Sequence, residues 1–376
     1  MSLRIPLSSP DITQAEIDAV TQVLRTTSLS LGPKLEEFED ALAAFHQMPH
    51  AIAVSSGTAA LHLAIRALSI GEGDEVIVPS FTFIAVANAV LYERATPVFV
   101  DIEPITLNMN PACVEAAVTS RTRAIVAVHT FGVPAAMDAL MQLARRHNLA
   151  VIEDACEAIG ATYKDRRVGS FGDISVFAFY PNKQITTGEG GAVLARDGRL
   201  ADRIRALRNQ GRYPSSDWLQ HQEIGYNYRL SEMACALGLV QLSRLPSILL
   251  QRAEIARKYN DLLAPADNIR RPPVHVAHRS ISWFVYVIRL SEHLVADSRD
   301  RVMDSLQRQG IGCARYFAPI HLQPAYLQIE SARQAILPIT ESIAPRTLAL
   351  PFFNRLSSAE MEEVAYALAL AVAHLD

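Results

Sequence analysis

Three short stretches carry residues able to do chemistry together. FAFYPNKQITTGEGG, residues 177–191, holds one lysine, Lys183, after an apolar and aromatic run and before a glycine-rich turn. Lysine seldom sits beside apolar strands unless its amine is used; a stem packed on Tyr180 is the plain structural alternative. VIEDACEAIG, residues 151–160, ends an apolar run in Asp154, and an acid there is costly unless it meets a cation or a donor. Helix capping is its ordinary explanation. VSSGTAALHLA, residues 54–64, puts Gly57 and Thr58 where a strand passes into a helix, so that first-turn amides and a partial positive charge can receive an anion. Capping by Ser56 or Thr58 explains the same letters. The turn is neither G-x-G-x-x-G nor a P-loop, which disfavours a dinucleotide or a P-loop nucleotide. A lysine for a Schiff base, a carboxylate to keep a pyridine nitrogen protonated and a phosphate seat are together what pyridoxal 5'-phosphate requires. PSFTFIAVANAV, residues 79–90, offers Phe81 and Phe83, each able to cover a flat ring or to fill the core.

Such residues need a frame to converge. Short apolar runs (AIAVSS, EVIVPS, TPVFVDI, RAIVAVHT, LAVIEDAC, ISVFAFY, GAVLARD) alternate with helical patterns at residues 57–68, 85–91 and 135–148, after an opening helix near residues 17–24. Strands apolar throughout and separated by helices predict an α/β domain, residues 1–245, with a largely parallel sheet covered on both faces. Ligand loops are expected at its strand carboxyl ends. Residues 246–376 read as a smaller α+β domain: a long helix to about Leu263, the linker IRRPPVHVAHRS, the strand WFVYVIRL, a helix at 299–310, a strand at IGCARYF and a final helix.

The chain has 376 residues, half of them hydrophobic, and a formal net charge of -4. No basic face or run of like charge points to nucleic acid or an anionic membrane. Cys113, Cys156, Cys235 and Cys313 lie far apart without CxxC spacing, which argues against a disulfide framework, a zinc site or an iron–sulfur motif. MSLRIPLSSPDI lacks the apolar run of a signal peptide, and no stretch reads as a membrane span, so a cytoplasmic location is expected.

In order along the chain, VSSGTAALHLA, GDEVIVPSFTF, TPVFVDI, IEDACEAIGA, FAFYPNKQITTGEGGAV and GYNYRLSEMACALGLVQL resemble the motifs of the DegT/DnrJ/EryC1/StrS family of pyridoxal-phosphate-dependent sugar aminotransferases. The resemblance implies a fold-type I aminotransferase, a homodimer with active sites at the subunit interface, a nucleotide-linked keto-deoxysugar as substrate and glutamate as amino donor. It implies that Lys183 forms the Schiff base and shuttles the proton, that Asp154 partners the pyridine nitrogen, and that Gly57 and Thr58 hold the phosphate. Phe83 matches the aromatic stacked on the ring, and Asn227 the asparagine that reaches the neighbouring subunit's cofactor. His321 aligns with a histidine near the substrate pocket. Apart from the resemblance, Arg229 and the linker residues Arg270 and Arg271 are candidates to pair with a diphosphate, solvated surface arginines being the plain alternative.

Two positions depart from the family pattern. Ala178 stands where many members donate a serine hydroxyl to the phosphate. Glu157 stands where glutamine or histidine meets the cofactor's phenolic oxygen, so it is expected to be protonated or turned away. NKQITTGEGG is more similar to the branch that aminates C4. Two alternatives remain open here: a sugar dehydratase, against which the retained lysine argues, and a binding protein that kept the fold without the chemistry.

Overall fold

The computed structural model describes residues 3–213, 217, 219–294 and 297–375. Helices α1 (Gln14–Leu24) and α2 (Pro33–His46) lead into β1 (His50–Val54), α3 (Gly57–Ala67), β2 (Glu75–Pro79), α4 (Ala85–Tyr92), β3 (Thr96–Val100), α5 (Pro111–Ala116), β4 (Thr122–Val128), α6 (Met137–His147) and β5 (Ala150–Asp154). The short β6 (Thr162–Tyr163) and β7 (Arg166–Arg167) precede β8 (Ile174–Ala178), β9 (Gly191–Ala195), α7 (Gly198–Arg208) and the long α8 (Glu232–Leu262). Then follow β10 (Ile269–Arg270), β11 (Arg279–Ser280), β12 (Tyr286–Leu290), α9 (Ser298–Arg308), α10 (Glu330–Arg333), α11 (Pro338–Ile343), β13 (Thr347–Leu350) and α12 (Ser358–Ala373).

Seven strands form one sheet in the order β1-β9-β8-β5-β4-β2-β3, in which β9 alone runs against its neighbours. Alternate side chains of a strand face opposite ways. Ile52, Val76 and Val176 pack on one face with residues of α3, α4 and α7. Ala51 and Phe177 pack on the other with α2 and α8, and Ile77 and Val151 with α6. With both faces covered no strand keeps a polar side, which is why these segments read as unbroken apolar runs.

The smaller unit sets the antiparallel sheet β10-β12-β13 against α9 and α12, around Tyr286, Ile288, Val302, Leu348 and Leu368. The strand expected at residues 311–317 is not formed. Ile311 makes an isolated bridge to Ile5 and Ala314 another to Ala349, while the third strand is β13, whose four residues are too few for a period to show. Helix α2 is an addition to the expected elements, although Leu35, Phe38 and Leu42 repeat at helical spacing and are all buried. The division expected at residue 245 falls inside α8. Leu242, Leu245 and Ile248 belong to the large core, Ile255, Ala256 and Tyr259 to the small one, and Ile5 from the N-terminal segment joins the latter. One continuous helix therefore couples the two units. Its mean hydropathy of 1.5 over 18 residues would let it cross a membrane by length and composition. Here Arg244 pairs with Asp11 and Glu16, and buried Arg252 donates to the carbonyls of Trp283 and Phe284.

Candidate active site

The site lies where adjacent strands end. Asp154 is the last residue of β5, in register with Val176 of β8. One of its carboxylate oxygens accepts the Cys156 amide at 3.0 Å, which turns the chain and holds the acid at the carboxyl end of this central strand. Its neighbour Glu153 points the other way. That carboxylate accepts the amides of Gly169, Phe171 and Gly172 and lies 3.2 Å from His129, and these donors keep its pKa low despite complete burial. Of the two acids, Glu153 anchors a loop and Asp154 faces the cavity.

Next in the sheet, β8 ends at Ala178 and the chain enters a turn closed by the Thr187 amide on the Phe179 carbonyl at 3.0 Å; Lys183 sits on it. Gly188 there has φ of +82°, a backbone state that L side chains resist. Two strands over, β1 leads to Ser56, whose hydroxyl accepts the Ala59 amide at 3.1 Å. The expected cap is therefore present, and it leaves the amides of Gly57 and Thr58 facing outward from the first turn of α3.

These segments open on one cavity of about 390 Å³, and Gly57, Thr58, Phe83, Asp154, Glu157 and Lys183 all line it. Phe83 is 60% exposed at its edge, whereas Phe81 is fully buried against Phe131 and Phe317, so their roles separate. The Lys183 amine stands 3.9 Å from the centre of the Phe284 ring and 3.7 Å from Glu157 Oε1. The other Glu157 oxygen accepts the Phe131 amide at 2.8 Å. Burial pushes this carboxyl above its ordinary range, opposed by the nearby amine. Burial and the Asp154 charge also raise the Cys156 thiol well above its usual value, which suits packing rather than nucleophilic attack.

The residues fit pyridoxal phosphate. A Cβ on Gly57 would come within 2.6 Å of the Ala178 Cβ, and one on Gly191 within 2.6 Å of the Ser56 carbonyl, so the phosphate end is a cradle only glycines leave open. Where Ala178 offers no hydroxyl, Ser56 and Thr58 border the same cavity.

Two expected residues, His321 and Arg229, are not brought to this cavity, and Asn227, expected to serve the neighbouring subunit's site, lies outside it as well. His321 is buried with Nδ1 2.6 Å from Ser80 Oγ and Nε2 3.3 Å from Glu341 Oε1, and burial lowers its pKa, opposed by the Glu341 carboxylate. Arg229 donates to Asn209 Oδ1 at 2.9 Å. Asn227 is exposed; its neighbours Tyr226 and Tyr228 send their hydroxyls inward, to Glu93 at 3.0 Å and to His62 at 3.1 Å. Residues the motifs do not single out complete the lining: Asn182, Phe284, Tyr316 and Phe317. Asn182 adjoins Lys183, its amide nitrogen is 3.4 Å from the Tyr316 hydroxyl, and its buried Oδ1 has no partner among the described residues. The three aromatics come from distant segments and leave no spacing signal.

Fold and site together define a fold-type I, pyridoxal-phosphate-dependent aminotransferase. The chain belongs to the DegT/DnrJ/EryC1/StrS aminotransferase family, whose model matches residues 10–369. It is 42% identical over 367 residues to GDP-perosamine synthase of Caulobacter vibrioides, a match covering 97% of each chain. Among solved structures, S. venezuelae DesV superposes with a TM-score of 0.91 at 38% identity over 100% of both chains. The PLP form of Spr1654 from Streptococcus pneumoniae does so with a TM-score of 0.92 at 29% identity over 99% of both.

Proposed function

We propose that this sugar aminotransferase moves an amino group from glutamate to the keto carbon C4 of a nucleotide-linked deoxysugar, in the cytoplasm, as a homodimer with shared active sites. One observation carries the reading: Lys183 and Asp154, beyond neighbouring strands, open on the same cavity as the start of α3. The nucleotide is supported by the relative named GDP-perosamine synthase, and C4 by the NKQITTGEGG form of the lysine turn.

Bound in this cavity, pyridoxal phosphate supplies an electron sink for a carbanion at the carbon that bears nitrogen. The chain supplies the rest. Gly57 and Thr58 offer amides and the positive end of α3 to a phosphate. Asp154, held by the Cys156 amide, would partner the cofactor's ring nitrogen and favour its protonated form. Lys183 Nζ takes and returns the proton, and Phe284, Tyr316 and Phe317 exclude water around it. Burial pushes the Tyr316 phenol to about 12, so it stays a hydrogen-bond donor at neutral pH.

A screen of nucleotide-linked keto sugars with glutamate, read by mass spectrometry and NMR, tests the assignment. A product aminated at C4 is expected; an amine at another carbon, or none on any nucleotide sugar, refutes it. Lys183→Ala should lose turnover by about 10³-fold or more while its unfolding midpoint stays near wild type.

A further inference from the structure

A second large cavity, about 810 Å³, has no lining residue in common with the first. It opens at the other end of the same strands: Ser170 and Phe171 come before β8 and Arg196 follows β9, whereas Ala178 ends β8 and Gly190 precedes β9 at the active site. Four arginines line it, Arg145 from α6, Arg166 and Arg167 from β7, and Arg196. None has a carboxylate partner among the described residues. Arg166 is held by the Ser170 hydroxyl and carbonyl and lies 4.2 Å from the Phe171 ring centre. Arg167 is held by the Phe45 carbonyl and lies 4.1 Å from that ring, and Arg196 donates to the Ser170 carbonyl at 2.6 Å. Arg145 is exposed. The one acid in the lining, Asp138, is paired with Lys164, and Glu153 beneath is already surrounded by donors.

Rings and carbonyls thus fix the guanidinium groups of Arg166, Arg167 and Arg196 in place without neutralising them, and the exposed Arg145 adds a fourth charge. Arg166 and Arg196 even donate to the same carbonyl oxygen. Like charges held together are unfavourable unless an anion joins them, and this cluster stands out on a chain whose formal net charge is -4. Planar guanidinium forks match phosphate oxygens two at a time. The space falls within the roughly 300–1,000 Å³ typical of small-molecule sites and exceeds what one phosphate needs.

We propose that this cavity binds a diphosphate-bearing anion, at a site separate from the catalytic one. Titration calorimetry of the whole protein with sodium pyrophosphate and with GDP, at low ionic strength, tests it. Saturable binding is expected in wild type and in Lys183→Ala, weakening as salt rises. It should fall at least about tenfold in Arg145→Glu and in Arg196→Gln, two charge-assisted contacts removed, while turnover and the unfolding midpoint of both variants stay at wild-type values. Binding unchanged in both arginine variants, or no saturable binding of either probe, overturns the proposal. Tighter binding of GDP than of pyrophosphate, lost with the arginines, identifies a nucleotide as occupant; equal affinities show that the diphosphate alone suffices.

Discussion

Glu157 places a carboxyl between the Phe131 amide and the Lys183 amine in a buried pocket. Its pKa is raised by burial from 4.5. The folded protein therefore keeps this proton at pH values where the unfolded chain has lost it. The resulting stabilisation is full below the unfolded pKa and declines as pH rises toward the folded one. Glu157→Gln removes the titration, so the variant should gain on wild type steadily from pH 4.5 toward neutrality. Urea midpoints of the cofactor-free proteins across that range would show it, and parallel profiles would contradict it. Glu153, next to Asp154, titrates in the opposite sense, because its donors favour the charged form. Two glutamates four positions apart thus differ through their surroundings alone.

At the scale of elements, the start of α3 does two jobs. Ser56 closes the first turn by accepting the Ala59 amide, and Ser56→Ala should cost about 1 kcal/mol in chemical denaturation. Gly57 leaves room between that turn and β8. Gly57→Ala would put a Cβ 2.6 Å from the Ala178 Cβ and 3.3 Å from Cys156 Sγ, pushing the helix start off the cradle. Faster loss of the bound cofactor's visible absorbance on dialysis is expected, and retention equal to wild type would remove Gly57 from the phosphate seat. The strand order explains why this turn meets Lys183: β1 and β8 flank β9, whose first residue, Gly191, abuts Ser56 without a side chain between them.

For the molecule as a whole, the exposed Asn227 and the half-open edge at Phe83 gain their meaning from a second subunit in the proposed dimer. Tyr226 and Tyr228 pin the segment to Glu93 and His62, and extended backbone turns the residue between them outward. If Asn227 completes the neighbouring site, Lys183→Ala and Asn227→Ala chains are each impaired alone. Co-expressed, they form mixed dimers in which one site carries both defects and the other carries neither. Recovered activity in differently tagged, co-purified mixed dimers is the expected outcome, and none at all would mean that each chain builds its own site.

The sequence by itself determined the large sheet and the chemistry at its ends. Strands buried on both faces, a capped helix start at Ser56, and Lys183 and Asp154 beyond apolar runs are local patterns, each written in a few consecutive residues. Tertiary structure alone gave Glu157 its partners, moved His321 away from the cavity and added Phe284, Tyr316 and Phe317 to its wall. Those outcomes depend on which distant segments meet. Closing a long loop costs little more than closing a short one, so strand order and packing, rather than any spacing along the chain, choose the residues that face each other.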